Sequence, residues 1–467
     1  MAQSTISPAS PKKMPARLKP YLLGALALII FWLMVYWGGM PPRRELPFFI
    51  VGVTVFMVAV AGFAYAYWYL LLKPLPAGHR VPQEDALPVT TRQLMAALVG
   101  LTGTILVVGA FWDEVWHRSY GIPFGEDLFW RPHLMMYLSF TLISLMAFGG
   151  LAYLLRRGQG TLQQRFRSSP VVGTMVVLSG FLLFSVPADP LWHTIYGEDI
   201  TAWSLPHLVL VLSFVGLMVM AVAIQLSTMR QREWAPIWRG NGADFFITGV
   251  MTFALVVGLQ VMTTEWDAPV AGNFSAAFLS RPIWIFPAMV AIIAVFLGIL
   301  ANQSTRRYGM ATLTGLLAFG VRYGLIQLFN YNEMTARNWL LALPPLLAID
   351  LWYAWRGAKV RQPANWIGAG LAAAVATIAI SLPLMNRLFA TPQVNAGNLL
   401  SFIFWITLLS LGSSWIATNV GEYLGTANKH LTETTATDRR LQLVPPVAFV
   451  VVLSFIILFV VTATPPA

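Results

Sequence analysis

Residues able to do chemistry are scarce in this chain, and they cluster. Four of its six histidines fall in two related stretches, WDEVWHRSYGIPFGEDLFWRPHL from Trp112 and ADPLWHTIYGEDITAWSLPHL from Ala188. Each stretch presents, in the same order, an aspartate, Trp-His, Tyr-Gly, Gly-Glu-Asp and Pro-His-Leu. On a helix, residues four apart share a face, so Asp113 would stand beside His117 and Asp189 beside His193. Pro132 and Pro206 fit the first turn of a returning helix, which would bring His133 and His207 back towards those pairs. A carboxylate with two imidazoles is a three-donor set for copper, zinc or iron that leaves positions open for water or substrate. The expected ligands are therefore Asp113, His117 and His133 at one site and Asp189, His193 and His207 at a second.

The acids Glu126, Asp127, Glu198 and Asp199 of the two Gly-Glu-Asp runs admit two readings. They could fix the tautomer of a ligating histidine from behind, but capping of the next helix is the favoured role. Met135 and Met136 could offer thioethers to copper; with 19 methionines along the chain, packing is the better reading. Two later stretches preserve fragments of the pattern. Glu265, Trp266, Asp267 and Arg281-Pro282 survive in one, and Asn332, Glu333 and Pro344-Pro345 in the other, with no histidine in either. Arg322 and Glu422, near or within apolar segments, read as structural ion-pair members.

Such loops need a scaffold, and composition names its class. The 467 residues are 57% hydrophobic and 10% charged, with a mean hydropathy of +0.67, which belongs to an integral membrane protein. A span requires about 20 apolar residues. On that rule about 13 transmembrane helices are expected, near 21–39, 47–72, 93–112, 133–155, 171–187, 206–227, 244–263, 283–301, 309–328, 338–355, 366–385, 398–418 and 443–463. The fold class is thus all-α, a polytopic bundle of repeated helical hairpins.

Lys12, Lys13, Arg156, Arg157, Arg230, Arg232, Arg306, Arg307, Arg356 and Arg439 fall on one side of this arrangement, with only Arg43 and Arg44 against it. The positive side is cytoplasmic, so the N-terminus is expected inside and both histidine loops outside, at the periplasmic face of a bacterial inner membrane. The excess of 30 basic over 19 acidic residues is then topological, and its partner is the lipid bilayer, not nucleic acid. With no cysteine, disulfides and thiolate ligands are excluded. Four regions follow: 1–92 with a tail and two helices, 93–240 with the duplicated hairpins, 241–365 with the degenerate repeats, and 366–467 with further helices.

Asp-x3-His with a second histidine after it, written twice in Trp-His and Pro-His contexts, resembles the C subunit of membrane-bound methane and ammonia monooxygenases. The resemblance covers residues 93–230. It implies copper bound by Asp113, His117 and His133, and by Asp189, His193 and His207, within a helical subunit that works alongside other subunits. Asp189 stands where that family carries asparagine, which makes the second site more anionic. The implied activity is copper-dependent oxygen activation and hydroxylation of a small substrate. Two alternatives stand beside it: a metal transporter, and a metal-independent structural subunit of a membrane complex. Few ionisable residues lie deep in the spans, and the candidate ligands gather near one face, which counts against a continuous ion path.

Overall fold

The computed structural model describes residues 46–75, 87–120, 129–186, 205–229, 233–267, 284–329, 340–356, 362–388, 394–427 and 444–462. These residues are helical almost throughout. In chain order the helices are α1 (Leu46–Tyr67), α2 (Val89–Tyr120), α3 (Arg131–Arg157), α4 (Leu162–Ser168), α5 (Pro170–Ser185), α6 (Leu205–Leu226) and α7 (Gly242–Asp267). They continue as α8 (Ile285–Thr305), α9 (Met310–Leu328), α10 (Leu343–Arg356), α11 (Gln362–Ala376), α12 (Leu382–Leu388), α13 (Leu399–Ala427) and α14 (Val444–Val461). Turns of π-helix lengthen α1 through Trp68–Leu72 and join α11 to α12 through Thr377–Ser381. Helices therefore occupy every expected segment from 47–72 onward; the segment 21–39 lies outside the described residues.

Six of these helices are long and apolar enough to cross a membrane, or seven if the bent pair α4–α5 counts as one span. The chain is an integral membrane protein. Its lipid-facing surface is written in exposed apolar side chains such as Val51 and Val58 on α1, Leu145 and Phe148 on α3, Leu400 on α13 and Leu458 on α14. In water such a surface would be an aggregation site; in a bilayer it is the solvated face.

Helices α2, α3, α5 and α6 pack together, and α7 joins this group to α8 and α9. Helix α8 lies innermost in the second half, between α7, α9, α10 and α13. Its Ala288, Ala291, Ala294, Val295, Ile299 and Ala301 are wholly buried, and the small residues among them let neighbours approach closely. The last helix, α14, returns across the chain to pack on α2 and α7.

Polar contacts sort the helix termini into two ends. At one end, Arg92 donates to the Ser227 carbonyl at 2.6 Å and Gln163 to that of Tyr69 at 2.8 Å. Trp234 stacks there on Tyr353 with ring centroids 5.1 Å apart. The two-residue strands β1 (Ala235–Pro236) and β2 (Arg307–Tyr308) pair in parallel at the same end. Neither this pairing nor the 112° bend between α4 and α5 was legible in the residue pattern. The opposite end carries His133, and there Ser381 donates to the Leu341 carbonyl at 2.8 Å.

Candidate functional site

The first histidine motif closes α2 and opens α3. Asp113 lies within α2, and the backbone of position 117 follows one turn later on the same face. Helix α3 begins at Arg131, with Pro132 in its first turn. There Pro fits because the earliest helical N–H groups have no intrahelical acceptor. His133 is the next residue.

Two features bring His133 to Asp113. Gly109, one turn before Asp113, lets α3 approach closely: a Cβ there would meet Met135 Cβ and Met136 Cγ at 3.2 Å and the Pro132 carbonyl oxygen at 3.3 Å. The bulk around the site is aromatic. Trp112 meets Trp116 edge-on at 5.0 Å, Trp116 meets Trp130 edge-on at 5.7 Å, and Trp112 stacks on Phe329 at 5.8 Å.

Against this wall, His133 Nε2 lies 2.8 Å from Asp113 Oδ1, with the side chains 14% and 21% exposed. Rings flank the imidazole on its own helix and before it, Tyr137 at 6.1 Å and Trp130 at 6.3 Å. Excluding water strengthens the attraction between imidazolium and carboxylate relative to bulk solvent. The arrangement can do two things chemically. As an ion pair between imidazolium and carboxylate it clasps the hairpin. As neighbouring donors, an imidazole nitrogen and a carboxylate oxygen are of the types that could hold copper, zinc or iron.

The other expected ligands divide by location. The backbone of His207 occupies the third position of α6, after Pro206, as His133 does in α3 after Pro132. The side chains of His117 and His207 lie outside the described residues, as do Asp189, His193, Glu126, Asp127, Glu198 and Asp199. Among the described residues no three His, Asp or Glu side chains gather as a metal cluster. Met135 is buried in the hydrophobic core, so packing is its role. Arg322 is wholly buried, its guanidinium 4.9 Å from the centroid of the Phe111 ring.

Sequence reasoning passed over a second polar centre, at the opposite end. Asp350 of α10 accepts from Asn302 Nδ2 and from the Gly309 N–H, both at 2.7 Å. It also accepts from the N–H and hydroxyl of Thr312 at 2.7 and 2.6 Å. Nearby, Asn241 and Asp244 cap α7 reciprocally: the Asp244 N–H donates to Asn241 Oδ1 at 3.2 Å, and the Asn241 N–H to Asp244 Oδ2 at 3.0 Å. The Asn-x-x-Asp spacing was the available signal for that cap. For Asp350 no local signal existed, because its donors come from α8, the β2–α9 turn and α9.

Comparison with family models, with curated proteins and with solved structures finds no match for this chain.

Proposed function

We propose that this protein is a copper-binding subunit of a membrane complex, with Asp113, His117 and His133 as its first site. One observation carries the proposal: the 2.8 Å approach of His133 Nε2 to Asp113 Oδ1 across two helices. The position of residue 117 one turn beyond Asp113 supports the third donor. In this reading Asp113 supplies the anionic oxygen that offsets metal charge, His133 supplies a nitrogen fixed by α3, and Trp112, Trp116 and Trp130 exclude water. Copper, when bound, supplies one-electron chemistry with oxygen, and a small apolar substrate would arrive from the lipid. Zinc or iron are the alternative metals. Asp189, His193 and His207 form the second site, supported by the matching position of His207 after Pro206 at the start of α6.

The proposed setting is a bacterial inner membrane, crossed thirteen times, with the N-terminus cytoplasmic and the sites near the outer face. Basic residues at the opposite end of the bundle support that orientation, among them Arg156 and Arg157 in the last turn of α3.

A second reading has its own support. The 2.8 Å approach is also that of an ion pair between imidazolium and carboxylate, so the pair could clasp the hairpin of a structural subunit without metal. Elemental analysis of detergent-purified protein, after exposure to copper, zinc and iron, separates the two. Copper bound by wild type and lost in Asp113→Ala/His133→Ala supports the site. Absence of any metal from wild type after that loading would leave only the clasp.

A further inference from the structure

We propose that the C-terminal helix α14 is a clamp on the Asp113–His133 pair, with Phe459 and Arg131 as positioning residues. The inference deepens the proposed metal site but rests on contacts that exist without metal. Phe459 meets a near neighbour of each member of the pair. Its ring meets Trp112, the neighbour of Asp113, edge-on at 6.2 Å. The Arg131 guanidinium, two residues before His133, lies 5.1 Å from the centroid of the same ring. Arg131 Nη1 also donates to the Phe459 carbonyl at 2.9 Å and to the Thr462 hydroxyl at 3.0 Å.

The chemistry of a helix end explains why these bonds form. The last carbonyls of α14 have no intrahelical donor, and the negative end of its dipole attracts a cation. Arg131 meets both needs. Thr462 is held in turn: its hydroxyl donates to the Leu458 carbonyl at 2.9 Å, leaving its lone pairs to accept from Arg131. Because Arg131 opens α3, whatever fixes its guanidinium fixes the direction in which α3 leaves the loop, and so the place of His133. Because Trp112 packs on the same ring, α2 is fixed with it. A helix far along the chain thus ties together the two residues that must meet.

The test uses the full chain in lipid nanodiscs under chelating conditions, reading backbone hydrogen exchange over residues 129–137. Variants Arg131→Ala and Phe459→Ala are compared with Arg131→Lys and with Leu458→Ala, whose side chain faces lipid on the same turn. Loss of its hydrogen bonds to Phe459 and Thr462 predicts exchange about tenfold faster or more across this segment in Arg131→Ala. Phe459→Ala keeps the carbonyl acceptor and loses only the ring, so it should speed exchange by a smaller factor; Arg131→Lys should recover part of the protection, and Leu458→Ala should match wild type. Unchanged protection in α8 shows that the fold survives. A second arm measures copper dissociation constants, expected to weaken about tenfold in Arg131→Ala. Unchanged exchange at 129–137 in both alanine variants overturns the clamp, whatever happens to copper. The expected exchange pattern in a protein that binds no copper upholds the clamp and overturns the metal site alone.

Discussion

Thr312 gives the Asp350 carboxylate two hydrogen bonds at once, from its N–H at 2.7 Å and its hydroxyl at 2.6 Å, both to Oδ2. Through this contact α10 caps the start of α9, a task that a residue within α9's own entry would ordinarily perform. The N-cap position is held by Gly309 instead, whose φ of 100° suits a residue without Cβ and which has no side chain to cap with. The carboxylate from α10 fills that role across space and also binds Asn302 of α8. Three helices are pinned by one side chain.

Asp350→Ala should accordingly be among the most damaging single changes in the protein. It leaves the Gly309 and Thr312 N–H groups and the Asn302 amide with no carboxylate in a buried site, at a cost of about 3 kcal/mol or more. Asp350→Asn retains an acceptor and should lose roughly half as much. Thermal unfolding in detergent reads both; equal midpoints for Asp350→Ala and wild type would contradict the capping role.

Gly109 sets the spacing of the helices on which the candidate pair sits. Alanine there gains about 1 kcal/mol of helix propensity and loses a similar amount to its 3.2–3.3 Å contacts, so stability should barely change. Valine adds bulk against the Pro132 carbonyl, which cannot rotate away, and should cost about 1–3 kcal/mol. The valine variant should also bind copper more weakly than the alanine variant. Equal metal affinity in wild type and both variants would show that α2–α3 spacing does not control the site.

What could be read from sequence was the part with local periodicity. Apolar runs located the long helices from α1 to α14 but not the short polar α4, and the order of Asp, Trp-His and Pro-His placed Asp113 and His133 near one another. Contacts made by distant residues left no such trace. Arg131 looks like an ordinary arginine at a helix start until Phe459 and Thr462 arrive beside it. Asp350 looks like a stray acid in an apolar helix until α8 and α9 surround it. The bend at Ser169 has a local cause after the fact: the capping box of Thr161 and Gln164 makes α4 a helix of its own, and Pro170 starts α5 afresh.

The Asp113–His133 contact predicts an energetic coupling that can be measured without metal. Under chelation, Asp113→Ala and His133→Ala should each destabilise by about 1.5–3 kcal/mol, and the double variant should cost less than their sum by about 1–2 kcal/mol. Chemical unfolding in a mixed micelle supplies all four values. A coupling near zero would mean that the two groups do not interact in the apoprotein.

Orientation can be tested because the chain contains no cysteine. Phe129, just before α3, is 75% exposed, and Trp238, on the turn before α7, is 79% exposed. Between them run α3, the bent α4–α5 pair and α6. If each crosses the membrane, the two positions face opposite sides, and basic residues place Trp238 in the cytoplasm. In intact cells a membrane-impermeant maleimide should label Phe129→Cys, while Trp238→Cys should react only after lysis. The reverse pattern would put the histidine loops inside and remove the outer-face site. Labelling of both in intact cells would mean an even number of crossings between them, as a re-entrant α4–α5 pair would give.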